Sequence, residues 1–246
     1  MKRFKWQIIF GASLIALSAI IYISQIFIFE RPQDTFFYIF QDIAFVPIQV
    51  LLVTLIIAQL LSIREKRAML KKMNMVIGAF FSEVGTGLLK SFLDFDVHYD
   101  ETRENLIITN EWSEREFSAV KKSLKVYDYK IESRKGDLED LKGFLTDKRE
   151  FLLGLLENPN LLEHESFTDL LWAVFHLTEE LACRADVKQL PVTDYAHLSG
   201  DIKRAYVLLI SEWLAYMKHL KDVYPYLFSL AVRTNPFDPN ASVEVK

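Results

Sequence analysis

Two long runs of apolar residues lie near the N-terminus, at Trp6–Phe29 and Phe36–Ile63. Each is long enough to cross a lipid bilayer, because a spanning helix needs about 20 mostly apolar residues. Only Glu30–Thr35 separates the two runs, and so short a connection requires the spans to run antiparallel. A transmembrane hairpin is therefore predicted for residues 1–63, with spans at 6–29 and at 36–63 or 43–63.

Beyond residue 63 the apolar positions recur at helical spacing and alternate with many charged residues. Ser113 and Glu116 match a capping box, which predicts the start of one helix. Five more helices are predicted: Arg64–Phe92 without a break, Asp137–Glu157, one that is capped at Ser166 or Thr168 and ends near Arg184, Asp201–Val223, and a short final one at Tyr226–Arg233.

Two stretches lack this periodicity. Residues 94–110 are irregular, and short extended pieces are expected there at Val97–Tyr99 and Leu106–Thr109. Residues 234–246 form a tail that is either loose or docked as an extended strap. The predicted fold is thus all-α, with a hairpin at 1–63, a basic segment at 64–72, a cytosolic helical bundle at 73–233 and the tail at 234–246.

Basic residues flank both predicted spans, and lysine and arginine beside a span mark its cytoplasmic side. Lys2, Arg3 and Lys5 precede the first span. The second is followed by five residues, called the basic collar here: Arg64, Lys66, Arg67, Lys71 and Lys72. Both termini are therefore expected to be cytoplasmic, in the cytoplasmic (inner cell) membrane. Anionic lipid headgroups suit the collar, each basic residue contributing about 1 kcal/mol.

A cleaved signal peptide is the alternative for the first span, because Ala16 and Ser18 have the spacing of a processing site. The apolar run continues to Phe29, however, well past the core of a signal peptide. The single cysteine, Cys183, excludes an intrachain disulfide and a cysteine-only metal site within one chain. Both observations favour a retained membrane span and a reducing compartment.

The charge is unevenly distributed. Residues 1–72 contain nine basic and four acidic residues out of 29 and 33 in the chain, so residues 73–246 carry 20 against 29, a net charge of −9. An acidic domain repels a phosphate backbone, so no nucleic-acid partner is predicted.

Polar residues interrupt the second apolar run, among them Gln41, Asp42, Gln49, Thr54 and Gln59. An ionisable residue inside a membrane indicates a functional role, such as lining an ion path. The alternative is that the span begins near Ile43, in which case Asp42 lies among the headgroups as a helix cap. Gln49 is expected to form a hydrogen bond to another helix.

Two features suggest contacts with other proteins. Gly78, Ser82 and Thr86 fall four residues apart and form a smooth stripe that lets another helix approach, which predicts a homo-oligomer. A group of aromatic residues near the C-terminus either closes the core or binds a protein partner: Trp213, Tyr216, Tyr224, Tyr226 and Phe228.

The histidines raise the question of a metal site. His176 and Glu180 lie four residues apart on one predicted helix, Glu212 and His219 seven apart on another, and Asp194, His197 and Asp201 share a face if that stretch is helical. Bundles that bind two metals repeat Glu-x-x-His on two helices, and that motif is missing here. Surface or partly buried histidines are thus the commoner explanation, and no cofactor or catalytic residue is predicted.

Three functions are compatible with these features. The first is a membrane-anchored scaffold or sensor that self-associates and has no catalytic activity. The second is a subunit of a small oligomeric channel or transporter, with Asp42 and Gln49 beside a polar path. The third is a helical-bundle metalloprotein.

Overall fold

The computed structural model of the chain describes residues 2–29, 32–159, 161 and 164–244, without the side chains of 2–11, 29, 32, 67 and 71. These residues fall into two compact units, Met1–Lys66 and Arg67–Lys246. Within the described ranges the regular structure is helical and no β-strand is present, so the predicted all-α class is confirmed.

The first unit consists of α1 (Lys2–Phe29) and the beginning of α2 (Pro32–Phe80). Proline is well suited to the first turn of a helix, where its missing N–H has no partner to lose. The connection is thus shorter than the predicted loop, since α2 already includes Pro32–Thr35; Glu30 and Arg31 lie outside the described residues.

Large apolar side chains in this unit face outwards. Phe27 is 78% exposed and Phe40 is 76% exposed. By length and composition, one helical stretch among the described residues, Gln33–Leu93, is apolar enough to cross a membrane, and Ala12–Ile28 is a shorter apolar helix. Among the described residues of this unit, most large apolar side chains are therefore not covered by its own helices.

The second unit begins with the last part of α2, which continues into a π-helix (Phe81–Gly85) and α3 (Thr86–Leu93). The predicted helix over Arg64–Phe92 is confirmed as continuous, but it contains a π-helical turn that the sequence did not indicate. Adjacent rings explain the change: Phe80 packs edge-on against Phe167, while Phe81 stacks on Tyr216. The wider turn accompanies burial of both neighbouring rings.

Residues 94–110 contain a short helix, α4 (Tyr99–Glu104), in place of the extended pieces predicted at Val97–Tyr99 and Leu106–Thr109. Asp96 explains the difference, because its carboxylate accepts hydrogen bonds from the His98 N–H and the Thr102 hydroxyl, both at 2.9 Å. These bonds tie together the first turn of α4. The strand-like pairing that remains is an isolated bridge between Asp96 and Ile131.

The next helices are α5 (Glu114–Val126), α6 (Leu138–Asp147) and α7 (Arg149–Leu156). The predicted capping box at the start of α5 is confirmed by reciprocal bonds between Ser113 and Glu116. The single helix predicted over Asp137–Glu157 was wrong, because the backbone at Lys148 leaves the helical region and separates α6 from α7.

Three helices complete the fold: α8 (Glu165–Ala182), α9 (Val192–Val223) and α10 (Pro225–Arg233). The first of them ends near Arg184, as predicted. Its N-cap is His164 and not the predicted Ser166 or Thr168, because the His164 side chain accepts a hydrogen bond from the Phe167 N–H.

By contrast, α9 starts at Val192, well before the predicted Asp201, because Pro191 directly precedes it and sets its first turn. A short connection joins α8 to α9, so the two helices pack side by side as antiparallel neighbours.

The start of the C-terminal tail is docked, which decides between the two predicted alternatives for residues 234–237. Phe237 is fully buried and its ring lies 4.9 Å from that of Trp213. The Asn235 side-chain amide donates to the Leu106 carbonyl at 2.9 Å. This segment therefore belongs to the core of the second unit.

Candidate functional site

Two pairs of chemically similar residues face each other where α8 packs against α9. Helix α8 carries His176 and Glu180, and α9 carries His197 and Asp201. Each pair is separated by four residues, which places both members on one face of their helix. Two imidazoles and two carboxylates thus meet in one place, called the His–acid cluster here.

The distances within the cluster are short. The Asp201 Oδ2 atom lies 3.2 Å from His197 Nε2 and 3.6 Å from His176 Nε2. Glu180 is also close, with one oxygen 3.5 Å from His197 Nε2 and the other 3.9 Å from His176 Nε2. Potential ligand atoms of the two histidines and Asp201 all lie within 4.8 Å of one another.

The histidines of the cluster are accessible to solvent, whereas Asp201 is buried. The side chains of His176 and His197 are 45% and 52% exposed, whereas that of Asp201 is only 3% exposed. Asp201 Oδ1 contacts the Arg204 guanidinium at 3.1 Å. Its other oxygen, Oδ2, is buried and accepts no hydrogen bond from any described residue. A buried oxygen without a hydrogen bond destabilises the folded state unless a positively charged group or a donor approaches it.

Arg184 lies beside the cluster and forms ion pairs with two carboxylates, those of Glu180 and Asp194. The guanidinium donates to Glu180 Oε2 at 2.8 Å and to Asp194 Oδ1 at 2.6 Å. These hydrogen bonds hold the pKa of both carboxyl groups below their ordinary values, and the two acids in turn raise the pKa of Arg184. Glu180 is therefore ionised at neutral pH and ready to attract a cation.

The other predicted pair, Glu212 and His219, is not brought to this cluster. At about 1.5 Å of helix per residue, the two lie about 16 Å and 27 Å beyond Asp201 along α9. His219 Nδ1 instead lies 3.3 Å from the Asn74 amide nitrogen, and burial lowers the pKa of this histidine. The four predicted candidates therefore do not form a single site.

Sequence reasoning noted each pair of the cluster separately but did not join them. The signal available was the repeated spacing of a histidine and an acid four residues later, at 176/180 and at 197/201. Joining the pairs requires His197 to be helical, and the predicted start of that helix at Asp201 left it out. Because α9 starts at Val192, both His197 and Asp201 are helical and lie on the same face of that helix.

Two models of one protein family match the chain. A family model described as "Uncharacterized protein MJ1433, C-terminal helical domain" matches residues 69–233, and "MJ1433, N-terminal helical domain" matches residues 2–61. The chain belongs to the MJ1433 family. It is 48% identical over 246 residues to "Uncharacterized protein MJ1433" of Methanocaldococcus jannaschii, which covers 100% of this chain and 98% of the relative. No solved structure matches.

In this member of the MJ1433 family, the polar residues of the second apolar run differ in their surroundings. Asp42 Oδ2 accepts a hydrogen bond from the Tyr22 hydroxyl of α1 at 2.6 Å. Tyr22 was not predicted as a partner, because the contact joins two different helices. Gln49 and Gln59 are exposed along α2.

The stripe of small residues lies at the junction with the π-helix. Gly78 faces the Tyr216 ring of α9, to which an added Cβ would come within 3.6 Å. Ser82 is exposed, and the Thr86 hydroxyl donates to the Phe81 carbonyl at 2.8 Å. The stripe thus includes a contact inside the chain at Gly78.

Residues of the aromatic group lie both in the interior and at the surface. Trp213 and Phe228 are buried, Tyr216 stacks on Phe81 and Tyr226 is exposed.

Three side chains of the basic collar are exposed: Arg64, Lys66 and Lys72. The side chains of Arg67 and Lys71 lie outside the described residues.

Proposed function

We propose that the protein is an integral membrane protein in which two N-terminal spans anchor an acidic helical domain at the cytoplasmic face of the membrane. In this proposal the domain serves as a scaffold or sensor and has no catalytic activity. The observation that carries the proposal is the outward-facing apolar surface of α1 and of the first part of α2.

That surface is far larger than water-soluble proteins leave exposed. Exposed apolar patches beyond a few hundred Å² mark contacts with a membrane or with another protein. Here large apolar side chains are exposed from Leu14 to Ile63, with few charges among them. A bilayer covers such a surface on all sides, and a helix is one of the two structures that satisfy their own backbone groups in lipid.

The lengths also suit a bilayer. At about 1.5 Å per residue, the 28 residues of α1 extend about 42 Å, which exceeds a hydrocarbon core of about 30 Å. The hydrogen bond from Tyr22 to Asp42 gives the acidic side chain a partner within the anchor, as a polar group in or near lipid requires.

The orientation of the anchor follows from the basic flanks. Lys2, Arg3, Lys5 and the collar favour a cytoplasmic location for both termini. Since the domain beyond the collar is acidic, anionic headgroups attract the collar and repel most of the remaining surface.

Extraction of membranes at alkaline pH tests the proposal. After expression, the full chain is expected to remain in the membrane pellet through a carbonate wash and to be released only by detergent. A peripheral protein held by the collar alone would be released by high salt, because such attraction is screened. Recovery in the soluble fraction, or release by salt or carbonate, would contradict membrane integration.

A further inference from the structure

We propose that the His–acid cluster binds one divalent transition-metal ion of the zinc class, with His176, His197 and Asp201 as ligands and Glu180 as the fourth. The inference depends on the packing of α8 against α9 and not on membrane anchorage. It assigns a binding site to a place where the sequence alone predicted no cofactor.

The spacing of the ligand atoms fits a small metal ion. Zinc is held tetrahedrally at about 2.0–2.2 Å by histidine nitrogens and carboxylate oxygens, which places neighbouring ligand atoms about 3.3–3.6 Å apart. Asp201 Oδ2 lies 3.2 Å and 3.6 Å from the two imidazole nitrogens. Two edges of the tetrahedron are thus formed in advance, and small rotations of exposed side chains complete it.

The buried oxygen of Asp201 is a second and independent indication. Its side chain is 97% buried, its Oδ1 contacts Arg204, and its Oδ2 lies near the two histidines and accepts no hydrogen bond from the described residues. A buried carboxylate oxygen without a donor is destabilising. A cation between this atom and the two imidazoles removes that penalty.

The surrounding charges also favour a cation. Glu180, Asp194 and Asp201 provide three negative charges, and Arg184 and Arg204 provide two positive ones. With neutral histidines the site therefore keeps a net negative charge. Arg204 contacts Asp201 Oδ1, the oxygen that faces away from the histidines, and Arg184 contacts Glu180 Oε2. Both arginines thus help to orient the carboxylates, as groups that contact the ligands do around a metal ion.

The donor set narrows the choice of metal. Imidazole nitrogens suit zinc, copper, nickel, cobalt and iron, whereas magnesium and calcium prefer ligands made entirely of oxygen. Both histidines are about half exposed, so an ion can enter from solvent and the first ligands it meets are nitrogens. Mg²⁺ and Ca²⁺ are therefore expected not to compete.

The test is titration of the purified full chain in detergent, without a histidine tag and after treatment with a chelator. Isothermal calorimetry with Zn²⁺ is expected to show one ion per chain, and the visible spectrum of added Co²⁺ is expected to report nitrogen and oxygen ligation. Zn²⁺ should also raise the Tm, since an ion that binds only the folded state stabilises it.

Single substitutions at the cluster provide the decisive comparison. His197→Ala, whose side chain is half exposed, is expected to lower Zn²⁺ affinity by at least about tenfold and to abolish the rise in Tm. Asp201→Asn is expected to do the same, and circular dichroism establishes whether each variant is folded. If Asp201→Asn does not fold, the half-exposed His176→Ala replaces it.

Two matched controls remove other potential ligands. His98→Ala removes a histidine outside the cluster, and Cys183→Ser removes the only thiol. Both are expected to bind Zn²⁺ like the wild type. The proposal is overturned if the wild type shows no saturable uptake of one ion, if His197→Ala binds as tightly as the wild type, or if either control loses the site. None of these results bears on membrane anchorage.

Discussion

The two units of the chain treat apolar side chains in opposite ways. In the second unit Phe80, Leu89 and Leu177 are fully buried, whereas in the first unit Phe27 and Phe40 are more than three-quarters exposed. Both units are helical, so the difference lies in what covers the helices. The second unit covers its own apolar faces, and the helices of the first unit leave theirs exposed.

Several buried polar groups of the second unit have partners inside that unit, as Asn235 has in Leu106 and Asp96 in Thr102. Three buried atoms of its described side chains have no hydrogen-bond partner there: Arg103 Nε, Asp201 Oδ2 and His219 Nε2. In the first unit a hydrogen bond from Tyr22 to Asp42 joins α1 to α2.

The largest expected effect comes from placing charge in the exposed apolar surface of the first unit. In Leu52→Arg/Leu55→Arg, two arginines enter the middle of the proposed span, and each opposes insertion by about 2.5–3.5 kcal/mol. The fraction of protein in carbonate-washed membranes is expected to fall strongly. The control is Val126→Arg in the second unit, an apolar position that is even more exposed (85% against 51% for Leu52 and 57% for Leu55) and whose replacement should leave the membrane fraction unchanged.

A second substitution removes part of a buried apolar side chain from the core of the second unit. Leu177→Ala in α8 empties a fully buried position and is expected to lower the free energy of unfolding by about 2–5 kcal/mol. Denaturant unfolding of the full chain in detergent measures this. Membrane recovery should stay as in the wild type, and a loss of membrane recovery without loss of stability would contradict the division between units.

A smaller effect is expected from the hydrogen bond between α1 and α2. Tyr22→Phe removes the hydroxyl that donates to Asp42 and is expected to destabilise the N-terminal unit by about 0.5–1.5 kcal/mol. Asp42→Asn keeps an acceptor at the same place and serves as the matched control. Thermal unfolding in detergent compares the two, and equal Tm values for Tyr22→Phe and wild type would show that the bond contributes nothing.

The smallest effect concerns the acid response of the second unit. Burial lowers the pKa of His219 in the folded state below its unfolded value of 6.5, so the unfolded state binds more protons at mildly acidic pH. Stability from this group is complete above that value and declines as the pH falls towards the folded pKa. In His219→Gln the Tm is expected to vary less between about pH 5 and pH 8 than in the wild type. An unchanged pH profile would contradict this role.

The periodicity of the sequence predicted the helices because local patterns decide them. The capping box at Ser113 depends on residues three apart, and the spacing of apolar residues placed α8 correctly. The π-helix could not be found this way, because it depends on where Phe80 and Phe81 meet Phe167 and Tyr216 in the folded chain. The local sequence does not indicate those contacts, because the partner rings are distant along the chain.

The candidate site was only half predictable for the same reason. Each histidine and its acid four residues later were visible as a pair on one helix. Their meeting depends on the register of α8 against α9, which is set by the buried faces of both helices and by the start of α9 after Pro191. Pairing of Tyr22 with Asp42 likewise depends on the contact between two helices.

The accessibility of the single cysteine tests the central claim most directly. Cys183 is exposed in the helical domain, which the proposed anchor places on the cytoplasmic face. A maleimide that cannot cross membranes is expected to label it in inside-out vesicles but not in intact cells. In the Cys183→Ser background, Gln33→Cys at the opposite end of the hairpin should show the reverse. Labelling of Cys183 in intact cells, or its recovery in the soluble fraction, would contradict the account.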